Sequence, residues 1–165
     1  ETFVRSTDMG ELYAYHAPRA MRLAFLLTGS LAAAEDLVQD AFIRVVAKSP
    51  RLREEDAFGA YLRTTIVNLH TSLLRRRKVE RRYLAAEAAR PTVVHAAADI
   101  DLRAEMWSKL QALPARQRAA LVLRYYEDLP GKQVAECLGC SHAAARTLIS
   151  RGLDALRIEM RGEER

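Results

Sequence analysis

The sequence predicts an all-α protein made of two small helical domains joined by a flexible linker. Ala, Leu and Arg recur throughout while aromatics make up only 7% of the chain, a balance that favours helix over sheet. Apolar residues return at helical spacing in both halves. Between the halves, from Tyr83 to Ile100, that spacing decays into Ala-rich sequence interrupted by Arg90-Pro91, which suits an interdomain linker. The expected bounds are residues 1–82 for the first domain, 83–101 for the linker and 102–165 for the second. With 165 residues, 50% of them hydrophobic, each domain buries a modest core.

The first helix is expected from Met9 to Thr28, with Leu12, Tyr15, Leu23, Leu26 and Leu27 apolar and Gly29 as its stop. Ser30 then caps a second helix, Leu31 to Ala47, whose stripe of Leu37, Val38, Ala41, Phe42, Val45 and Val46 faces inward. Asp36, Gln39 and Asp40 occupy its other face. Ser49-Pro50 ends it, and the polar stretch Arg51 to Asp56 reads as a loop. A long third helix follows, Ala57 to Arg82, with Phe58, Leu62, Ile66, Leu69 and Leu73 on one face and Thr64, Asn68, Thr71 and Arg75 on another.

In the second domain a helix carrying Leu102, Met106, Leu110 and Leu113 stops at Pro114, and another continues through Leu121, Val122 and Tyr125. The segment Leu129 to Ser141 then reads as a helix-turn-helix: a short helix ends at Gly139 and Ser141 caps the next. That last helix turns Ala145, Ile149, Leu153 and Leu156 inward. Arg146, Thr147, Ser150 and Arg151 stay outside, a size and polarity suited to a major groove.

Charge sharpens the picture. The 26 Lys and Arg against 21 Asp and Glu give a formal +5, a mild lean toward a polyanionic partner. Six of the eight residues from Arg75 to Arg82 are basic, whereas Glu35, Asp36 and Asp40 form an acidic cluster with no base expected beside it. Two cysteines, the absence of a signal peptide and the absence of a long apolar run point to the cytoplasm and to no membrane insertion. Cys137-x-x-Cys140 with His142 offers a partial zinc set, but both cysteines fall where the motif buries small side chains, so a packing role is favoured and no cofactor or metal is expected. Trp107 is expected to pack in the core or against the linker, and His16, His70 and His95 receive no role. No phosphate-binding glycine loop, nucleophile elbow or paired-histidine motif is present, so an enzyme is not expected.

Residues 34–45 and 61–77 in the first half and 113–126 in the second, in this order, resemble the extracytoplasmic-function sigma factors of the sigma-70 family. Ala34-Glu35-Asp36-Leu37-Val38-Gln39-Asp40-Ala41-Phe42-Ile43-Arg44-Val45 is similar to the family's polymerase-binding helix, and Tyr61-Leu62-Arg63 through Asn68 to Arg75-Arg76-Arg77 to its minus-ten helix. Leu113-Pro114-Ala115-Arg116-Gln117-Arg118 and Leu121 to Tyr126 resemble the opening of the family's second domain. The resemblance implies a sigma region 2 bundle followed by a sigma region 4 helix-turn-helix. It implies core RNA polymerase as a partner through Asp36, Gln39, Asp40 and Arg44, docked on the basic clamp coiled coil of the largest subunit. Promoter DNA is implied as the second partner. Its minus-ten element would meet Arg63, Thr64, Asn68, Thr71, Arg75, Arg76 and Arg77, and its minus-thirty-five element Lys132, Ser141, His142, Arg146, Thr147, Ser150 and Arg151. The chain stops soon after the recognition helix, so a separate anti-sigma protein is expected as the controlling partner.

The recognition helix departs from the family pattern at His142-Ala143-Ala144-Ala145-Arg146-Thr147 and at Leu148, which bears on the DNA sequence read rather than on docking. Two rivals compete. A conventional helix-turn-helix regulator accounts for the second half but not for an Asn-bearing helix running into arginines. A magnesium-dependent hydrolase built on Glu35, Asp36 and Asp40 needs a second carboxylate helix, and none has convincing spacing.

Overall fold

The computed structural model describes residues 9–48, 55–83 and 101–161. Residues 84–100 of the expected linker and 51–54 of the expected loop lie outside the described residues, whereas Tyr83 and Asp101 at the linker's two ends, and Glu55 and Asp56 of the loop, are helical. The described elements are α1 (Met9–Thr28), α2 (Leu31–Lys48), α3 (Glu55–Tyr83), α4 (Asp101–Ala112), α5 (Ala115–Leu121), a π-helical turn (Val122–Tyr126), α6 (Gly131–Leu138) and α7 (His142–Arg161). No strand occurs among the described residues.

Local chemistry sets the breaks. Gly29, at φ 74°, and Gly139, at φ 61°, take the left-handed backbone that ends α1 and α6 and that a side chain disfavours. Ser30 Oγ accepts from Ala33 N at 3.4 Å, a long cap, and Ser141 Oγ accepts from Ala144 N at 3.1 Å, a better one. Pro18 sits within α1 on its exposed side, where water can reach the Ala14 carbonyl that lacks its usual N–H donor.

The first domain is a three-helix bundle of α1, α2 and α3. Leu23, Leu27, Leu37, Val38, Val45, Phe58, Leu62 and Ile66 fill its core, as their spacing predicts. Phe42 links Tyr13 and Phe58 edge-on, at 4.9 and 5.5 Å between ring centres. Leu12, Leu26, Phe42, Val46 and Leu69 are half-buried at the edge of the core, and two members of the expected stripes lie outside it. Tyr15 and Leu73 are exposed, because Tyr15 lies off the Leu23 face and α3 carries no buried residue after His70.

In the second domain α5 and α6 pack on α7 and the π turn packs on α5 and α6, with Leu123, Val134 and Ala145 fully buried. Gly152 lets α7 lie on α5: a Cβ there would stand 3.0 Å from Leu121 Cγ. Ile149, Leu153 and Leu156 are half-buried, and Met106 on α4 is exposed rather than packed. The expected α-helix through Leu121, Val122 and Tyr125 instead widens at Val122. Glu127 N donates to Val122 O at 3.0 Å, five residues back, so Tyr125 turns to solvent and Glu127 turns inward.

The two domains are packed on each other. Trp107 of α4 stacks on Phe25 of α1 at 5.0 Å, and Gln111 Nε2 donates to Leu26 O at 3.0 Å while its Oε1 accepts from Arg118. Trp107 thus packs as expected, but across domains. Helix α6 lies along α3, where Cys137 Sγ meets Thr64 Oγ1 at 3.5 Å.

Candidate functional site

Three surfaces carry the residues singled out by sequence. On α2, Asp36, Gln39, Asp40 and Arg44 are all exposed. Asp40 is not isolated: Arg44 Nε donates to Asp40 Oδ1 at 2.9 Å, an i, i+4 pair that offsets part of the acidic charge. Ile43, 66% exposed on the same face, was not singled out, although its place three residues beyond Asp40 and off the buried stripe is a readable signal. An apolar group ringed by polar ones is the composition of a docking patch, since it contributes area that water leaves on contact.

On α3, the minus-ten set divides in two. Asn68, Arg75, Arg76 and Arg77 are exposed, and the helix carries its basic run clear of the bundle. Arg63 and Thr64 face the second domain instead: Arg63 is paired with Glu127, and Thr64 meets Cys137 while its hydroxyl donates to Ala60 O at 3.1 Å. Thr71 is half-buried and donates to Val67 O at 2.9 Å. His70, between these residues, is buried, and burial above all, with the charges of Arg118 and Arg77, pushes its pKa down to about 4.

On the second domain, Lys132, Ser141, His142, Arg146, Thr147, Ser150 and Arg151 are all exposed, so the outer face of α7 and the start of α6 are open together. The His142 ring lies over Gly131, where a Cβ would stand 3.0 Å from Nε2. Cys137 is buried and Cys140 half-buried, both as free thiols, in keeping with packing roles. Among the described residues no three His, Cys, Asp or Glu side chains gather as a metal site, and no helix is long and apolar enough to cross a membrane.

Comparison with known proteins places the chain in a family. Residues 12–80 match the model of sigma-70 region 2 and residues 103–156 that of sigma-70, region 4. The chain is 31% identical to the RNA polymerase sigma factor CarQ of Myxococcus xanthus, covering 93% of this chain and 88% of that protein. The chain belongs to the extracytoplasmic-function sigma factors of the sigma-70 family. It is 33% identical over 153 residues to the ECF RNA polymerase sigma factor SigE of Mycolicibacterium smegmatis, and spans 59% of that protein's length. The sigma factor RpoE of Bartonella quintana, solved in complex with the anti-sigma factor NepR, shares the fold at a TM-score of 0.76 and 24% identity, over 94% of this chain and 98% of that one. In sigma-factor terms α1, α2 and most of α3 form region 2, and α4 to α7 fall in region 4. Arg19 and Glu127, which meet between the two regions, escaped sequence reasoning because neither lies in a motif and their pairing depends on how the domains pack.

Proposed function

We propose that this sigma factor directs core RNA polymerase to specific promoters, with residues 1–82 binding the polymerase and melting the minus-ten element, and residues 102–165 reading the minus-thirty-five element. The α2 face of Asp36, Gln39, Asp40 and Arg44 docks on the polymerase, joined there by Ile43. The α3 set, Arg63, Thr64, Asn68, Thr71 and Arg75 to Arg77, follows the non-template strand. Lys132, Ser141, His142, Arg146, Thr147, Ser150 and Arg151 sit in the upstream major groove. The chain performs no chemistry of its own and works in the cytoplasm, with an anti-sigma protein as its controlling partner.

One observation carries the reading: an exposed, capped last helix of the helix-turn-helix in one domain and an exposed basic helix end in the other, two different surfaces on one chain whose chemistry suits nucleic acid. Duplex recognition needs only the first. The second suits a strand already unpaired, because Asn68 offers an amide to base edges while Arg75, Arg76 and Arg77 follow phosphates. Unpairing costs on the order of 1–2 kcal/mol per base step, more than a domain this small offsets without the polymerase.

The test compares the chain alone, core polymerase alone and both together on promoter DNA. Specific run-off transcripts and an open bubble are expected only from the pair, with weak, salt-sensitive binding by the free chain. Asn68→Ala is expected to reduce bubble opening more than closed-complex binding. Tight operator binding by the free chain, with no promoter-specific transcript in the presence of core, replaces this reading with that of a conventional regulator.

A further inference from the structure

Glu127 is the only charged group of the second domain that the described ion pairs place against the first. It follows the π turn, its side chain is 3% exposed, and Oε2 lies 3.2 Å from Arg19 Nη2 on α1 and 3.5 Å from Arg63 Nε on α3. The two arginines reach it from different helices and different environments, Arg19 being 68% exposed and Arg63 19%. Neither end of the contact is saturated. Glu127 Oε1 is buried with no hydrogen-bond partner, and Arg63 Nε makes the ion pair without a hydrogen bond. A cavity of about 280 Å³ adjoins the group, walled by Tyr15, His16, Gly59 and the two arginines.

Two cationic side chains converging on one planar acid, with room beside it and donor capacity left over, describe a site better matched to a tetrahedral oxyanion than to a carboxylate. Arginine binds phosphate through paired N–H groups, and a phosphate presents more acceptor oxygens than Glu127 directs here. Arg63 also belongs to the α3 set proposed to follow the promoter strand, and its neighbour Thr64 is covered by Cys137 in the same contact. We propose that Arg19 and Arg63 form a binding site for a backbone phosphate of the promoter strand, and that Glu127 occupies this site within the chain, holding the two domains together until the strand replaces it. Arg19 thereby becomes a DNA-contacting residue on a helix outside the minus-ten segment. For the ion pair itself the exchange costs little, because a buried pair repays little beyond the desolvation of its charges; the rest of the cost of parting the domains lies in the Trp107–Phe25 contact and the packing of α6 on α3. The proposal rests on the reading of α3 as the strand-binding helix.

The full chain, free and bound to core polymerase, is the test object. For the free chain, anisotropy with a fluorescent single-stranded minus-ten oligonucleotide is expected to show Glu127→Gln binding several-fold more tightly than wild type, while energy transfer between labels on the two domains falls. Adding Arg19→Gln to that variant is expected to remove most of the gain and to lower the salt dependence by about one phosphate contact. Separation of the domains with no gain in affinity would mean that Glu127 only clasps them and would overturn the proposal. Arg19 lies on the surface, so the holoenzyme supplies a measurement independent of how Glu127→Gln folds. Arg19→Ala holoenzyme is expected to bind forked promoter DNA several-fold more weakly with a shallower salt slope, and unchanged binding and slope would equally overturn it. Run-off transcription by wild-type holoenzyme separates the two levels. Its absence refutes the strand-binding reading itself, whereas its presence with unresponsive Arg19 and Glu127 variants refutes only the phosphate site.

Discussion

His70 received no role from sequence, yet its surroundings give it a measurable one. The ring is 7% exposed, and burial, reinforced by Arg118 and Arg77, lowers its pKa from 6.5 to about 4. A native state that resists protonating His70 binds fewer protons than the unfolded chain between those values. Its contribution is therefore present in full above about pH 6.5 and is lost as pH falls through the window toward about 4. Between about pH 7.5 and pH 5 the loss comes to about 2 kcal/mol, a sizeable part of the stability of a chain this small. His70→Leu, close in size and without a proton to take up, is expected to flatten that part of the profile in urea titrations at the two pH values. Equal pH dependence in variant and wild type would show that other groups, not His70, govern acid sensitivity.

At the scale of elements, chain breaks are where the sequence spoke most clearly. Gly29 and Gly139 ended helices as expected because only a residue without Cβ adopts their left-handed backbone freely, and this requirement is local. A clean test follows at Gly139, where an added Cβ meets nothing within 4 Å. Gly139→Ala is expected to destabilise the second domain by about 1 kcal/mol through backbone strain alone, and Gly139→Asn by less, in the same denaturation assay. Parity of the two variants with wild type would mean the turn relaxes out of the left-handed region. The buried stripes were legible for the same reason, since Leu37, Val38, Ala41 and Val45 repeat at the period of the helix that carries them. The π turn was not. One extra residue in a turn leaves no periodic signature in five residues, and Tyr125 reads as a helix residue until Glu127 N is seen bonding to Val122 O. Nor were the contacts of Arg63 and Thr64 readable, because sequence assigns a residue to a face of its own helix but not to what another domain lays against that face.

For the whole molecule, the packed arrangement divides the proposed surfaces into covered and open. Arg63 and Thr64 lie under the second domain, whereas the α2 face of Asp36, Gln39, Asp40 and Ile43 is exposed and remains available while the domains are together. Under the proposed roles of α2 and α3, a polymerase engages α2 first and the promoter strand gains the covered end of α3 afterwards, an order in which binding energy at one surface supports opening at another. The two acids on α2 are not equivalent in this encounter. Asp40 already accepts from Arg44 at 2.9 Å, so part of its field is cancelled locally and a basic partner must compete with that arginine. Asp36 offers its carboxylate to solvent one turn earlier, with no ion pair among the described residues. Asp36→Lys is accordingly expected to weaken core binding more than Asp40→Lys, the former by several-fold, with helix content and the energy transfer between domains unchanged in both. The double reversal should be additive or weaker still, and its effect should shrink at high salt, because both positions are exposed and within reach of screening ions. Titration of labelled core polymerase with each variant at two ionic strengths decides the ranking. If Asp40→Lys proves the more damaging, the Arg44 pair is broken on docking and Asp40 is the principal contact; if neither reversal changes affinity, α2 is not the surface that meets the polymerase.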